Sequence, residues 1–74
     1  MSEDKEILKL LGVNIRTLRL AKGYSQQQFA MYAEIDRAYI GTIERTGRNF
    51  SVLSLIKIAR CLEVTVGDLF KGIT

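Results

Sequence analysis

The stretch Ser25 to Arg45 reads SQQQFAMYAEIDRAYIGTIER, and the reading of this segment decides the fold. Ser25 followed by Gln28 is a capping-box pattern: the serine hydroxyl accepts from an amide three residues on, while the glutamine side chain reaches back. It starts a helix at about 26–33, with Phe29, Ala30 and Ala33 facing inward and the small alanines allowing another helix to pack close. Met31 and Tyr32 are expected to be partly exposed. Glu34-Ile35 forms the turn, and Asp36 is a good N-cap for a second helix at about 37–45. Ile40 and Ile43 face the core from that helix, and its outward face carries Arg37, Thr42 and Arg45. Gly41 is out of place there, since a glycine inside a helix costs about 1 kcal/mol relative to alanine. Either another backbone, of protein or DNA, approaches closely, or a side chain has been lost by drift.

Outward from this segment, the chain reads as scaffolding. Before it, a helix should begin at residue 2 or 3, where Glu3 and Asp4 suit the positive end of the helix dipole, and continue to about 22. Leu8, Leu11, Ile15 and Leu18 form its apolar stripe, and Gly23 stops it. Leu10 and Leu20 lie off the stripe and are read as a wide core face rather than a partner surface. After it comes a loop at 46–50, and then Ser51 caps a helix at 52–62. The apolar residues Leu53, Leu55, Ile56, Ile58, Ala59 and Leu62 cover most of that helix, which makes it central. Thr65 with Asp68 resembles another capping box and opens a last helix at about 66–71 that ends at Gly72. Leu69, Phe70 and Ile73 either close the core or, with Val64 and Val66, make a self-association patch.

Composition narrows the function. The 74 residues suffice for one domain, 1–74, whose small buried fraction makes self-association plausible. Hydrophobic residues make up 47% and charged residues 26%, with no proline, which favours a folded all-helical chain. There is no histidine, and Cys61 is the single cysteine. A zinc or iron-sulfur site therefore has no ligand set, and Ser-His or Cys-His nucleophile pairs are impossible. No cofactor or metal is expected, and enzyme readings start low. No signal peptide or membrane-spanning run is legible, so the expected location is cytoplasmic, without membrane association. Net charge is +3, concentrated in the middle: Arg16, Arg19, Lys22, Arg37, Arg45 and Arg48 oppose only Glu34, Asp36 and Glu44. An anionic partner is expected there.

Five short helices suggest a compact orthogonal bundle, with a helix-turn-helix at 25–45. The segment from about Gly12 to Phe70 resembles the lambda- and 434-repressor-like helix-turn-helix family, also called the Xre or Cro/C1 type. Counted from Gln26, the family places apolar or small residues at the fourth, fifth, eighth, tenth, fifteenth and eighteenth positions. Phe29, Ala30, Ala33, Ile35, Ile40 and Ile43 stand there. Gly23-Tyr24-Ser25-Gln26, Ile43-Glu44-Arg45 and the Ser51-Val52-Leu53 to Leu69-Phe70 tail carry the resemblance further. Two positions depart from it: Glu34 replaces the usual turn glycine, and Thr46 replaces the glycine after the second motif helix, with Gly47 one residue later.

The resemblance implies a double-stranded DNA-binding regulator whose second motif helix enters the major groove. Arg37, Ala38 and Thr42 match base-reading positions; an arginine there can donate two hydrogen bonds to guanine O6 and N7. Ser25, Gln26, Arg45, Arg48 and Asn49 match positions that hold the DNA backbone. Tyr39 either bonds a phosphate or is partly buried. Arg19 and Glu44 match an ion pair that ties the first helix to the end of the recognition helix.

A narrower likeness, in Asp36-Arg37-x-Tyr39-Ile40, Ile43-Glu44-Arg45 and Arg48-Asn49-x-Ser51, is to the controller proteins of restriction-modification systems. It implies a homodimer on a pseudo-palindromic operator at its own promoter, with RNA polymerase as a further partner and no separate effector domain. Val64, Val66, Leu69, Phe70 and Ile73 are candidates for the dimer surface. A phage- or plasmid-type repressor, an antitoxin, or an interaction module that has lost DNA binding are the alternatives.

Overall fold

The computed structural model describes residues 2–48 and 51–73. Among these there are five helices and no strand: α1 (Ser2–Ala21), α2 (Gln26–Ala33), α3 (Arg37–Thr46), α4 (Val52–Leu62) and α5 (Val66–Leu69). The all-helical bundle read from the sequence is the fold observed. One core holds it together, built from Leu11 and Ile15 of α1, Phe29, Ala30 and Ala33 of α2, Ile40 and Ile43 of α3, Ile58, Ala59 and Leu62 of α4, and Leu69 of α5.

The helix starts lie where local chemistry places them. Ser25 Oγ accepts from the Gln28 amide at 3.0 Å while Gln28 Oε1 accepts from the Ser25 amide at 3.0 Å. Asp36 Oδ1 accepts from the Ala38 amide at 2.8 Å, and Ser51 and Thr65 cap α4 and α5 in the same manner. These bonds occupy amides that the first helical turn leaves without an intrahelical partner.

Two helix ends differ from expectation. α3 runs one residue further, to Thr46, and Gly47 closes it at φ 66°. Thr46 Oγ1 donates to the Thr42 carbonyl at 2.9 Å and accepts from the Arg48 amide at 3.1 Å, so it continues the helix and ties down the chain leaving it. α5 stops at Leu69 instead of residue 71: Phe70 and Lys71 continue only as i→i−3 turns before the left-handed Gly72, and Asn14 Nδ2 of α1 donates to the carbonyls of Leu69 and Lys71, both at 2.9 Å. The side chain thus satisfies carbonyls that the end of a helix leaves without a partner.

The core is narrower than the apolar content suggests. Leu10 and Leu20, read as core, are 49% and 55% exposed. α1 lies chiefly along α3, so one side of α1 meets protein and the other meets solvent. α4 is not central either: Val52, Leu53 and Ile56 are 74%, 60% and 37% exposed, and only its Ile58, Ala59 and Leu62 face is sealed.

The α1–α3 contact is made possible by two glycines. A Cβ on Gly12 would stand 2.4 Å from the Ile43 carbonyl oxygen, and one on Gly47 would stand 1.6 Å from that of Leu8. Neither position can carry a side chain while α1 lies this close. The seating of α3 on α1 is therefore fixed by backbone contact at both ends.

Candidate nucleic-acid interface

The corner between α2 and α3 sets the direction in which α3 points. Glu34 takes the left-handed conformation, φ 58° and ψ 48°, and its amide donates to Met31 O at 3.3 Å while the Ile35 amide donates to Ala30 O at 2.9 Å. This is the Schellman pattern, in which the apolar residue after the left-handed one turns back onto the helix; Ile35 packs against the core. Left-handed φ at a non-glycine residue costs about 1 kcal/mol, and here the corner imposes it.

At its far end, α3 is locked by a buried ion pair. Arg19 Nε lies 2.6 Å from Glu44 Oε2 and Arg19 Nη2 lies 3.0 Å from Oε1, a bidentate arrangement. Arg19 Nη1 also donates to Tyr24 O at 2.7 Å, and Gln26 Nε2 donates to Glu44 Oε1 at 3.1 Å. Both charged residues are more than nine-tenths buried. Replacing such a pair by apolar residues is often neutral for stability, whereas removing one partner strands the other. What the pair specifies is geometry: α1, the start of α2 and the end of α3 meet at one carboxylate.

Gln26, Arg37, Ala38, Gly41, Thr42 and Arg45 line a single open groove along α3. Arg37 and Ala38 are exposed at its first turn and Arg45 at its last. Arg37 makes no ion pair with Asp36 or Glu34. Thr42 Oγ1 donates to Ala38 O at 3.1 Å, so its lone pairs remain to accept a hydrogen bond. A Cβ on Gly41 would have only Gln26 Oε1 within 4 Å, at 3.9 Å. No neighbouring protein backbone accounts for that glycine. Ser25 is exposed but its hydroxyl is used as a cap. Tyr39 is half-buried against the core. Arg48 is exposed just past Gly47, and Asn49 lies outside the described residues.

Charge divides sharply across this face. Arg19 is consumed by Glu44, and Lys22 pairs with Glu63. The Glu63 carboxylate raises the Lys22 ammonium above its usual value, and Lys22 in turn lowers Glu63. Arg16, Arg37, Arg45 and Arg48 have no ion pair among the described residues. No group of three or more His, Cys, Asp or Glu among those residues could hold a metal, and none of the helices is long and apolar enough to cross a membrane.

Of the residues read as a dimer surface, the structure seals one and leaves the others partly or fully accessible. Leu69 is fully buried, and Val64, Val66 and Ile73 pack against the core; Phe70 alone is exposed, at 41%. Val64 follows a second left-handed glutamate, Glu63, and anchors a second Schellman corner, with its amide donating to Ala59 O at 3.0 Å. Sequence reading missed the Gly12 approach, the Asn14 clamp and the Gln26–Glu44 link; only the spacing of Gln26 from the capping serine pointed to the first turn of α2.

Comparison with known proteins matches this geometry. The helix-turn-helix family pattern aligns with residues 15–69. The control protein C.SmaI of Serratia marcescens is 36% identical over 64 residues, covering 86% of this chain and 76% of that protein. The control protein C.MunI of a Mycoplasma species is 38% identical, covering 84% and 85%. The crystal structure of the restriction-modification controller protein C.AhdI from Aeromonas hydrophila superposes with a TM-score of 0.82 at 40% identity, covering 85% of this chain and 96% of that one. The chain belongs to the helix-turn-helix family of Xre/Cro-type transcription regulators, and its relatives include restriction-modification control proteins.

Proposed function

We propose that the protein is a cytoplasmic, sequence-specific regulator that binds double-stranded DNA as a homodimer, controls a restriction-modification operon from its own promoter, and works through RNA polymerase when it activates. The observation that carries this reading is the groove along α3, where Arg37, Ala38 and Thr42 stand together with Gln26 and Arg45. An exposed arginine at the start of a helix that fits the major groove can reach guanine N7 and O6, and the flanking groups suit phosphates. An interaction module that had lost DNA binding would have no need of Arg16, Arg37 and Arg45, all exposed along this face with no ion pair among the described residues. The likeness to the control proteins C.SmaI and C.MunI supports the narrower assignment.

One recognition helix rarely gives enough affinity alone, which favours a two-fold dimer on a two-fold site. The exposed Val52, Leu53 and Ile56 face of α4, immediately after the loop that carries Arg48, is a further candidate for self-association beside Phe70 and the partly buried Val64, Val66 and Ile73. Leu53→Glu should leave the monomer folded and shift it away from dimer in sedimentation; wild type sedimenting as a monomer at high micromolar concentration, with and without DNA, would count against the dimer.

Selection of bound duplexes from a random pool, followed by gel shifts at two salt concentrations, tests the main reading. The expected result is a pseudo-palindromic site whose affinity falls steeply with salt. Absent or salt-insensitive binding to every duplex would overturn it.

A further inference from the structure

A second cleft opens beside the recognition groove, lined by Arg16, Arg19, Gln26, Gly41, Glu44 and Arg45. Gln26, Gly41 and Arg45 line both, so the two are continuous. Arg19 and Glu44 neutralise each other within it and are held bidentately. Three arginines against one glutamate leave the cleft at +2. That surplus belongs to Arg16 and Arg45, both exposed and neither ion-paired among the described residues.

Arg16 precedes Arg19 by three residues on α1, so the two share a helix face, and the Arg19–Glu44 pair fixes how that face stands against α3. Among the described residues, no ion pair uses the Arg16 guanidinium. From the rest of the geometry, we infer that Arg16 grips a DNA phosphate: the strand that leaves the α3 groove past Gln26 and Arg45 runs into this cleft, and the DNA contact extends beyond the helix-turn-helix onto α1. The inference rests on the DNA-binding reading above. Its ligand is a phosphodiester rather than a base edge, because the cleft excludes Arg37, Ala38 and Thr42 and its cations are spread along the flank of α3. A guanidinium fork suits two phosphate oxygens at once.

Phosphate contacts carry no sequence information, and this separates Arg16 from Arg37 experimentally. Gel shifts with the selected duplex and with a scrambled duplex of equal length should show Arg16→Ala weakening both by the same factor, roughly five- to tenfold at low salt. The slope of log affinity against log salt should shrink by about 0.9 per subunit. Arg16→Lys should retain most of that slope. A scan with methylphosphonate linkages should find one phosphate per half-site whose neutralisation weakens wild type and leaves Arg16→Ala unchanged. Because Arg16 is exposed and unpaired, Arg16→Ala should melt with wild type; if it does not, Arg16→Gln, which keeps the stem, replaces it. Wild type that binds with normal salt dependence while Arg16→Ala shows unchanged affinity and slope overturns this inference and leaves the DNA-binding reading intact. A loss confined to the selected duplex also overturns it, since that would be base reading. Wild type that binds no duplex removes the DNA-binding reading itself.

Discussion

The chain turns the same corner twice, and the two copies are put to different use. Ala33-Glu34-Ile35-Asp36 and Leu62-Glu63-Val64-Thr65 each place a glutamate at left-handed φ, an apolar residue turned back onto the core, and a polar N-cap for the next helix. The first corner leads into a ten-residue helix whose far end is locked to α1 by Arg19, Glu44 and Gly12. The second leads into a four-residue helix held by Asn14. A corner aims a helix, but only a helix anchored at both ends presents side chains at a fixed angle. The difference is why our proposal puts the recognition surface at the first corner.

Attacking the anchor should have the largest effect. Gly47→Ala puts a Cβ into the Leu8 carbonyl and requires left-handed φ of alanine, so a loss of about 3 kcal/mol is expected in denaturant unfolding. Arg19→Ala should match it, because Glu44 is left buried without its cation, a change that typically costs about 3 kcal/mol or more. The double variant Arg19→Met with Glu44→Leu should recover stability yet still bind DNA poorly, since α3 would lose its fixed angle. Normal affinity in that folded double variant would remove the positioning role.

The corners themselves offer a finer comparison. Glu34→Gly should stabilise by about 1 kcal/mol, as relief of left-handed strain is its main effect. Glu63→Gly relieves the same strain but gives up the Lys22 ion pair, so its gain should be smaller. Equal gains would mean that the pair contributes nothing.

The smallest expected effect is in acid. Hydrogen bonds from the Thr65 backbone amide and hydroxyl hold the Asp68 carboxylate below its usual value of 3.8. A group lowered by folding lends stability above its unfolded value and loses it as pH falls through the folded one. Hydrogen exchange should therefore show the amides of α5 losing protection below about pH 4 before those of α3 do. The matching position of the first corner is Tyr39, which has no carboxylate to titrate there.

Local chemistry was legible in the sequence; tertiary contact was less so. The bounds of α2 and α4 followed from Ser25, Gln28 and Ser51, whose partners lie within three residues. Arg37, Thr42 and Arg45 were legible as one outward face from helical spacing, Ala38 was added by the family resemblance, and all four line one groove. Leu10, Leu20, Leu53 and Ile56 were misread as core because an apolar side chain does not announce which of its faces a neighbour will cover. Gly12 looked unremarkable because its significance depends on where α1 crosses α3, and Asn14 because its carbonyl partners lie more than fifty positions away.

The central claim is that Arg37 reads a guanine. It is tested most directly by measuring wild type and Arg37→Ala on the selected duplex, with each guanine replaced in turn by 7-deazaguanine, which lacks the N7 acceptor. One guanine per half-site should, when replaced, weaken wild type by about 1 kcal/mol and leave Arg37→Ala unaffected. Arg37→Ala binding the selected duplex as tightly as wild type does would contradict the account.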